Sequence, residues 1–199
     1  MDSQKPIIYL VPRWAGNIHS DWYDWLVLEI SNTYQIDIQC LEMPDWNEPD
    51  LDKSLNFLTN RISELNNNTY FIGHSVGCQA ILRFLDERLK QNHSLKIGGF
   101  LFVAAWFSVD KPWISLKPWT NCNKLNYELL SKATTYKKVI LSDNDPFTTD
   151  YLENKKQWIS RFGAEVMIYP RQLHFNRLME KEILKEVEKM ISLISKNKN

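Results

Sequence analysis

Short apolar runs and amphipathic stretches take turns along this chain, and that alternation constrains its fold more than any other feature. The runs are rich in β-branched and aromatic residues and fall at Ile7–Val11, Ile36–Leu41, Tyr70–Gly73, Phe100–Ala105, Val139–Leu141 and Glu165–Tyr169. Most are continuously apolar, the pattern of strands buried on both faces. Between them, Leu51, Leu55, Leu58, Ile62 and Leu65 step by four, three, four and three residues, which traces one helical stripe. Cys78, Ile81, Leu82, Leu85 and Leu89 form a similar stripe after the third run, and Met179, Ile183, Val187, Met190 and Ile194 mark a last helix. Weaker helical patterns span Trp22–Ser31 and Tyr151–Phe162. Strands alternating with helices predict an α/β fold, a mostly parallel sheet of about six strands covered on both faces. Right-handed crossovers then place a ligand site at the carboxyl ends of the strands.

With 199 residues and 44% hydrophobic content, the chain is expected to form a single domain, 1–199, with a sizeable core. Lys plus Arg and Asp plus Glu are each 24, so there is no basic excess to serve a nucleic acid or an anionic membrane surface. The strongest apolar run, Phe100 to Phe107, is too short for a membrane span. The N-terminus Met-Asp-Ser-Gln-Lys-Pro does not read as a secretory signal, and Lys196 to Asn199 is a polar tail expected to fray. Cys40, Cys78 and Cys122 are sparse and far apart, which argues against a disulfide framework or a structural zinc site. A cytoplasmic location is the expectation. Cys40 and Cys78 are read as buried packing residues.

The chemistry centres on Gly73-His74-Ser75-Val76-Gly77, set between the third strand and the helix of Cys78 to Leu89. A serine on such a sharp strand-to-helix turn projects its hydroxyl above the sheet edge, and the glycines let the backbones pass closely. The helix N-terminus favours negative charge at the same spot. With only six glycines in the chain, a chance match placed between a strand and a helix is rare.

A serine hydroxyl needs a base to take its proton. Of four histidines, His174 follows the last strand by a short loop and stands over the sheet's carboxyl edge. His74 adjoins the serine but should diverge from it, His93 lies in a polar loop, and His19 follows the first strand. The base in turn needs an acid, and Ser142-Asp143-Asn144-Asp145-Pro146-Phe147 directly follows the fifth strand. Asp145 is preferred because it lies further into the loop with proline after it; Asp143 is the fallback. The order Ser75, Asp145, His174 is that of α/β-hydrolases. Backbone N–H groups of Val76 and Trp14, with Arg13 as a second choice for the latter, are the expected oxyanion donors. Arg13, Trp106, Trp113 and Trp119 are expected to border the substrate pocket, whereas Trp22, Trp25 and Trp158 fit helical stripes of the core.

These residues resemble the small serine hydrolases related to retinoblastoma-binding protein 9 and the bacterial YdeN proteins. The likeness rests on the Val-Pro turn after the first strand, Asp21-Trp22-Tyr23-Asp24-Trp25-Leu26, Gly73-His74-Ser75-Val76-Gly77, Val103-Ala104-Ala105-Trp106-Phe107, Asp145-Pro146-Phe147 and His174-Phe175. It implies a minimal α/β-hydrolase with strand order 2-1-3-4-5-6, a Ser75–Asp145–His174 triad, and no metal or cofactor. Two positions depart from the family, which commonly carries glycine where this chain has Arg13 and Leu173. The expected activity is cleavage of a small-molecule carboxylic ester, thioester or amide through an acyl-enzyme. The alternatives are a protein-binding module on a hydrolase scaffold, which the two departures motivate, and acyl transfer to an acceptor other than water.

Overall fold

The computed structural model describes residues 5–34 and 36–196; the readings of the N-terminal segment and of the polar tail rest largely on residues 1–4 and 197–199, outside the described residues. Along the chain run β1 (Ile7–Val11), α1 (Tyr23–Tyr34), β2 (Asp37–Cys40), α2 (Leu51–Arg61), β3 (Thr69–His74), α3 (Val76–Gln91), β4 (Gly99–Val103), α4 (Lys117–Thr120), α5 (Tyr127–Lys132), β5 (Tyr136–Ser142), α6 (Tyr151–Phe162), β6 (Glu165–Tyr169) and α7 (Lys181–Lys196). The six strands form one sheet in the order β2-β1-β3-β4-β5-β6, and every pairing is parallel.

Two apolar layers explain why these segments are strands. Along β3, Tyr70 and Ile72 join the core under α1 and α7, while Phe71 joins the core under α2, α3, α5 and α6. Every residue of β3 and β4 is buried, as continuous apolar runs require. Helix ends carry local signals: Asp50 caps α2 through the Lys53 N–H at 2.8 Å, Asp150 caps α6 through the Glu153 N–H at 3.0 Å, and Gly163 closes α6 at φ +60°. Among the described residues no helix is long and apolar enough to cross a membrane.

Several boundaries differ from the sequence reading, three of them for reasons the structure shows. The stripe through Leu65 overruns α2, which stops at Arg61; Ile62 caps it by donating to the Leu58 carbonyl, and Leu65 packs on the core from the loop. Met179 precedes α7 and is exposed, so the buried stripe starts at Ile183. β5 begins three residues before Val139 because its charged Lys138 is buried there, held by Glu186 at 2.7 Å and Glu165 at 3.0 Å.

The approach of α3 to the sheet depends on two glycines. A Cβ on Gly77 would collide with the Val11 carbonyl oxygen and lie 2.7 Å from that of Pro12, and one on Gly73 would lie 2.8 Å from the Cys78 Cα. Backbone stands on both sides of each contact, so neither can yield as a side-chain tip would. The first turn of α3 is thereby drawn against the end of β1.

Candidate active site

Ser75 sits between β3 and α3 at φ +56° and ψ −118°, a strained conformation for a residue with a Cβ. Its N–H donates to the Val103 carbonyl at 2.9 Å, and its carbonyl accepts from Cys78 N–H at 3.0 Å. The turn lifts the hydroxyl above the carboxyl edge of the sheet into a cavity of about 250 Å³ shared with His174. The Trp106 indole N–H donates to Ser75 Oγ at 3.3 Å. Among the described residues no hydrogen bond joins Ser75 Oγ to the His174 ring. Such bonds are often open without a substrate and close in its complex.

His174 and Asp145 are joined, Nδ1 to Oδ2, at 2.7 Å, and both residues are buried. The other Asp145 oxygen accepts the Phe147 N–H at 2.9 Å, and the Phe147 ring meets the His174 ring edge-on at 4.8 Å. The loop after β5 grips the loop after β6 residue by residue. Arg171 N–H donates to Asp143 at 2.8 Å, Gln172 N–H to Ser142 Oγ at 3.0 Å, and Leu173 N–H to Asn144 Oδ1 at 2.8 Å. Asp143, the fallback acid, therefore holds a backbone amide and not the histidine. Leu173 adopts φ +52° and keeps its side chain exposed, so a residue with a Cβ strains the backbone here while the neighbouring ring stays with Asp145.

His74 lies on the other side of the turn, fully buried. Its Nε2 lies 2.8 Å from the His174 carbonyl, which only accepts, so Nε2 carries the hydrogen. Its Nδ1 then accepts from the Tyr23 hydroxyl at 2.7 Å, and the same hydroxyl accepts the Arg13 N–H at 3.1 Å. Burial holds the His74 pKa well below the ordinary value of 6.5, aided by the nearby His174 and opposed by the bond to its carbonyl. A neutral ring thus ties the loop after β1 to the loop bearing His174. The Asp21-Trp22-Tyr23 motif was the sequence signal for this tie, but its partners lie far along the chain.

The loop after β1 also settles which amides are free. Arg13 N–H is taken by Tyr23, Ala15 N–H by the Trp46 carbonyl at 2.9 Å, and Gly16 N–H by the Arg13 carbonyl at 2.9 Å. The Arg13 N–H is therefore already engaged in this structure and not free to meet an oxyanion. The Arg13 side chain lines the cavity and is fixed by Asp21 through Nε at 2.7 Å and Nη2 at 3.1 Å. Trp106 and Trp113 line the cavity, with Trp113 stacked on Trp14 at 4.5 Å. Trp119 does not: it is fully buried against Trp46, with its N–H on the Pro49 carbonyl at 2.9 Å. The irregular path from Trp106 to Tyr136 hid that difference, along with the lining role of Val109 and Leu116. His19 and His93 are exposed or at the rim of the protein, away from the cavity lining, and His19 pairs with Asp24 at 2.9 Å.

A family model described as serine hydrolase matches residues 8–192. The YdeN protein of Bacillus subtilis (strain 168) is 29% identical over 139 residues, which cover 69% of this chain and 70% of that protein. The crystal structure of the B. subtilis ydeN gene product superposes with a TM-score of 0.83 at 20% identity, covering 94% of this chain and 100% of that one. Est1E from Butyrivibrio proteoclasticus, solved with ferulic acid bound, superposes at 0.68 with 13% identity, covering 98% of this chain and 92% of that one. At these identities the structural likeness concerns the fold, which is that of the α/β-hydrolases.

Proposed function

The chain belongs to the serine hydrolase family, and from that premise we propose that it cleaves a carboxylic ester, thioester or amide through an acyl-enzyme on Ser75. The observation that carries this reading is the buried His174–Asp145 pair at 2.7 Å, opening on the same cavity as a serine held at φ +56°. In the reaction, Ser75 Oγ attacks the substrate carbonyl carbon while its proton passes to His174 Nε2. Asp145 keeps Nδ1–H in place and stabilises the imidazolium. The oxyanion is met by the Val76 N–H at the start of α3 and by the Trp14 N–H. Collapse of the tetrahedral intermediate expels the leaving group, which takes the proton from His174. Water then repeats the sequence on the acyl-enzyme and frees the acid.

The cavity favours a compact, apolar acyl group. Its volume of about 250 Å³ lies below the usual range for drug-sized ligands, and Trp14, Trp106, Val109, Trp113, Leu116 and Phe147 supply much of its wall. The aromatic acid held by Est1E, whose fold this chain shares, is consistent with an aryl or short acyl substituent. The test is labelling by a fluorophosphonate probe. Wild type is expected to label and Ser75→Ala is not; equal labelling of both, or of neither, removes the reading.

A further inference from the structure

Among the described residues six tryptophan indoles are hydrogen-bonded, and one of them is used differently from the rest. The N–H groups of Trp14, Trp22, Trp46, Trp119 and Trp158 each donate to a backbone carbonyl. The Trp106 N–H donates to Ser75 Oγ. The main chain on either side of this residue is held by hydrogen bonds to α3 and α6. The Trp106 carbonyl accepts from the Gln79 side chain of α3, the preceding Ala105 carbonyl accepts the Trp158 N–H at 3.2 Å, and the following Phe107 N–H donates to Asn154 at 2.7 Å. Ala104, two residues earlier, turns the chain at φ +48°. The residue is about 1% exposed, so the donor is desolvated, and the backbone that carries it is held from three directions.

We propose that the Trp106 indole is a catalytic residue that stabilises charge on the nucleophile oxygen itself, in both halves of the reaction. This role is distinct from lining the pocket, and it rests on the Ser75 acyl-enzyme reading. A hydroxyl oxygen has two acceptor positions and one hydrogen. With the indole N–H on one of them, the hydrogen turns away from the indole and is available to the base. As Oγ forms its bond to the carbonyl carbon and its proton moves to His174, partial negative charge on Oγ strengthens the N–H···O bond. In deacylation Oγ is the leaving atom. Water attacks the acyl carbon, the C–Oγ bond breaks, and the departing alkoxide keeps the same N–H until His174 returns its proton. The stabilisation is larger in the two transition states than in the resting enzyme, which is the condition for raising kcat.

The experiment removes the N–H while retaining the ring. Wild type, Trp106→Phe and Trp106→3-benzothienylalanine (introduced by amber suppression, with sulfur replacing the N–H) are compared for fluorophosphonate labelling rate and for burst and steady-state hydrolysis of p-nitrophenyl acetate. One charge-strengthened hydrogen bond predicts a fall of about tenfold in labelling, acylation and deacylation rates for the benzothienyl enzyme, with an unchanged Kd for substrate. Labelling of that enzyme at the wild-type rate overturns the proposal, even where Trp106→Phe is slow through lost packing. A wild type that does not label removes the hydrolase reading, and this proposal falls with it.

Discussion

His74 makes the stability of this protein sensitive to mild acid, and the size of the effect follows from its surroundings. The ring is fully buried, accepts a hydrogen from Tyr23 Oη at 2.7 Å, donates one to the His174 carbonyl at 2.8 Å, and stands near the His174 ring and Arg13. Protonating Nδ1 would turn an acceptor facing a donor into a second donor, with no solvent to absorb the charge. Burial accordingly holds its folded-state pKa well below 6.5, whereas in the unfolded chain it titrates near the ordinary value. A depressed pKa means that the unfolded state binds the extra proton first. The contribution to stability is therefore complete above about pH 6.5 and is lost as pH falls toward the folded-state value. While folded His74 stays neutral, the loss reaches about 2 kcal/mol at pH 5, from 2.303RT for each pH unit below the unfolded pKa. That is a substantial part of the 5–15 kcal/mol typical of a domain. The assay is urea unfolding at pH 7.5 and 5.0 for wild type and His74→Gln, whose amide keeps a donor and an acceptor but does not titrate. The histidines common to both proteins cancel in the comparison. The variant is expected to lose about 2 kcal/mol less than wild type between the two pH values. An equal loss in both would show that His74 is not held neutral and would refute the reasoning.

Two further substitutions probe the frame and the pocket. Gly77→Ala puts a methyl group against the Val11 and Pro12 carbonyl oxygens, and is expected to cost about 3 kcal/mol by urea unfolding and to slow probe labelling by moving the Val76 N–H; an unchanged midpoint would contradict the close approach of α3. Trp113→Ala removes a half-exposed ring stacked on Trp14 from the cavity wall, so Kd for an aryl ester should rise about tenfold with little change in midpoint; equal affinity would place the acyl group elsewhere.

What could be read without coordinates, and what could not, separates along one physical line. Gly73 to Gly77 was legible because strand, turn and helix are neighbours in sequence, and the rule that sites gather at carboxyl ends of parallel strands then drew attention to the loops holding Asp145 and His174. The start of β5 was not legible, because Lys138 looks like a surface residue until Glu165 and Glu186, far along the chain, are seen beside it. Trp119 was misplaced for the same reason: its partners, Trp46 and the Pro49 carbonyl, lie far from it along the chain. The case of His74 carries this furthest. As a neighbour of Ser75 it was expected to diverge from the serine, and the structure does send its ring into the core. Divergence is what makes it useful, however. The last residue of β3 points beneath the sheet edge while the first residue of the turn, at φ +56°, points above it. One short segment therefore supplies the hydroxyl to the cavity and, through its neighbour's ring, a rigid link from the Arg13 amide to the backbone of His174. A change in His74 should consequently be felt first in the position of His174, the proposed base.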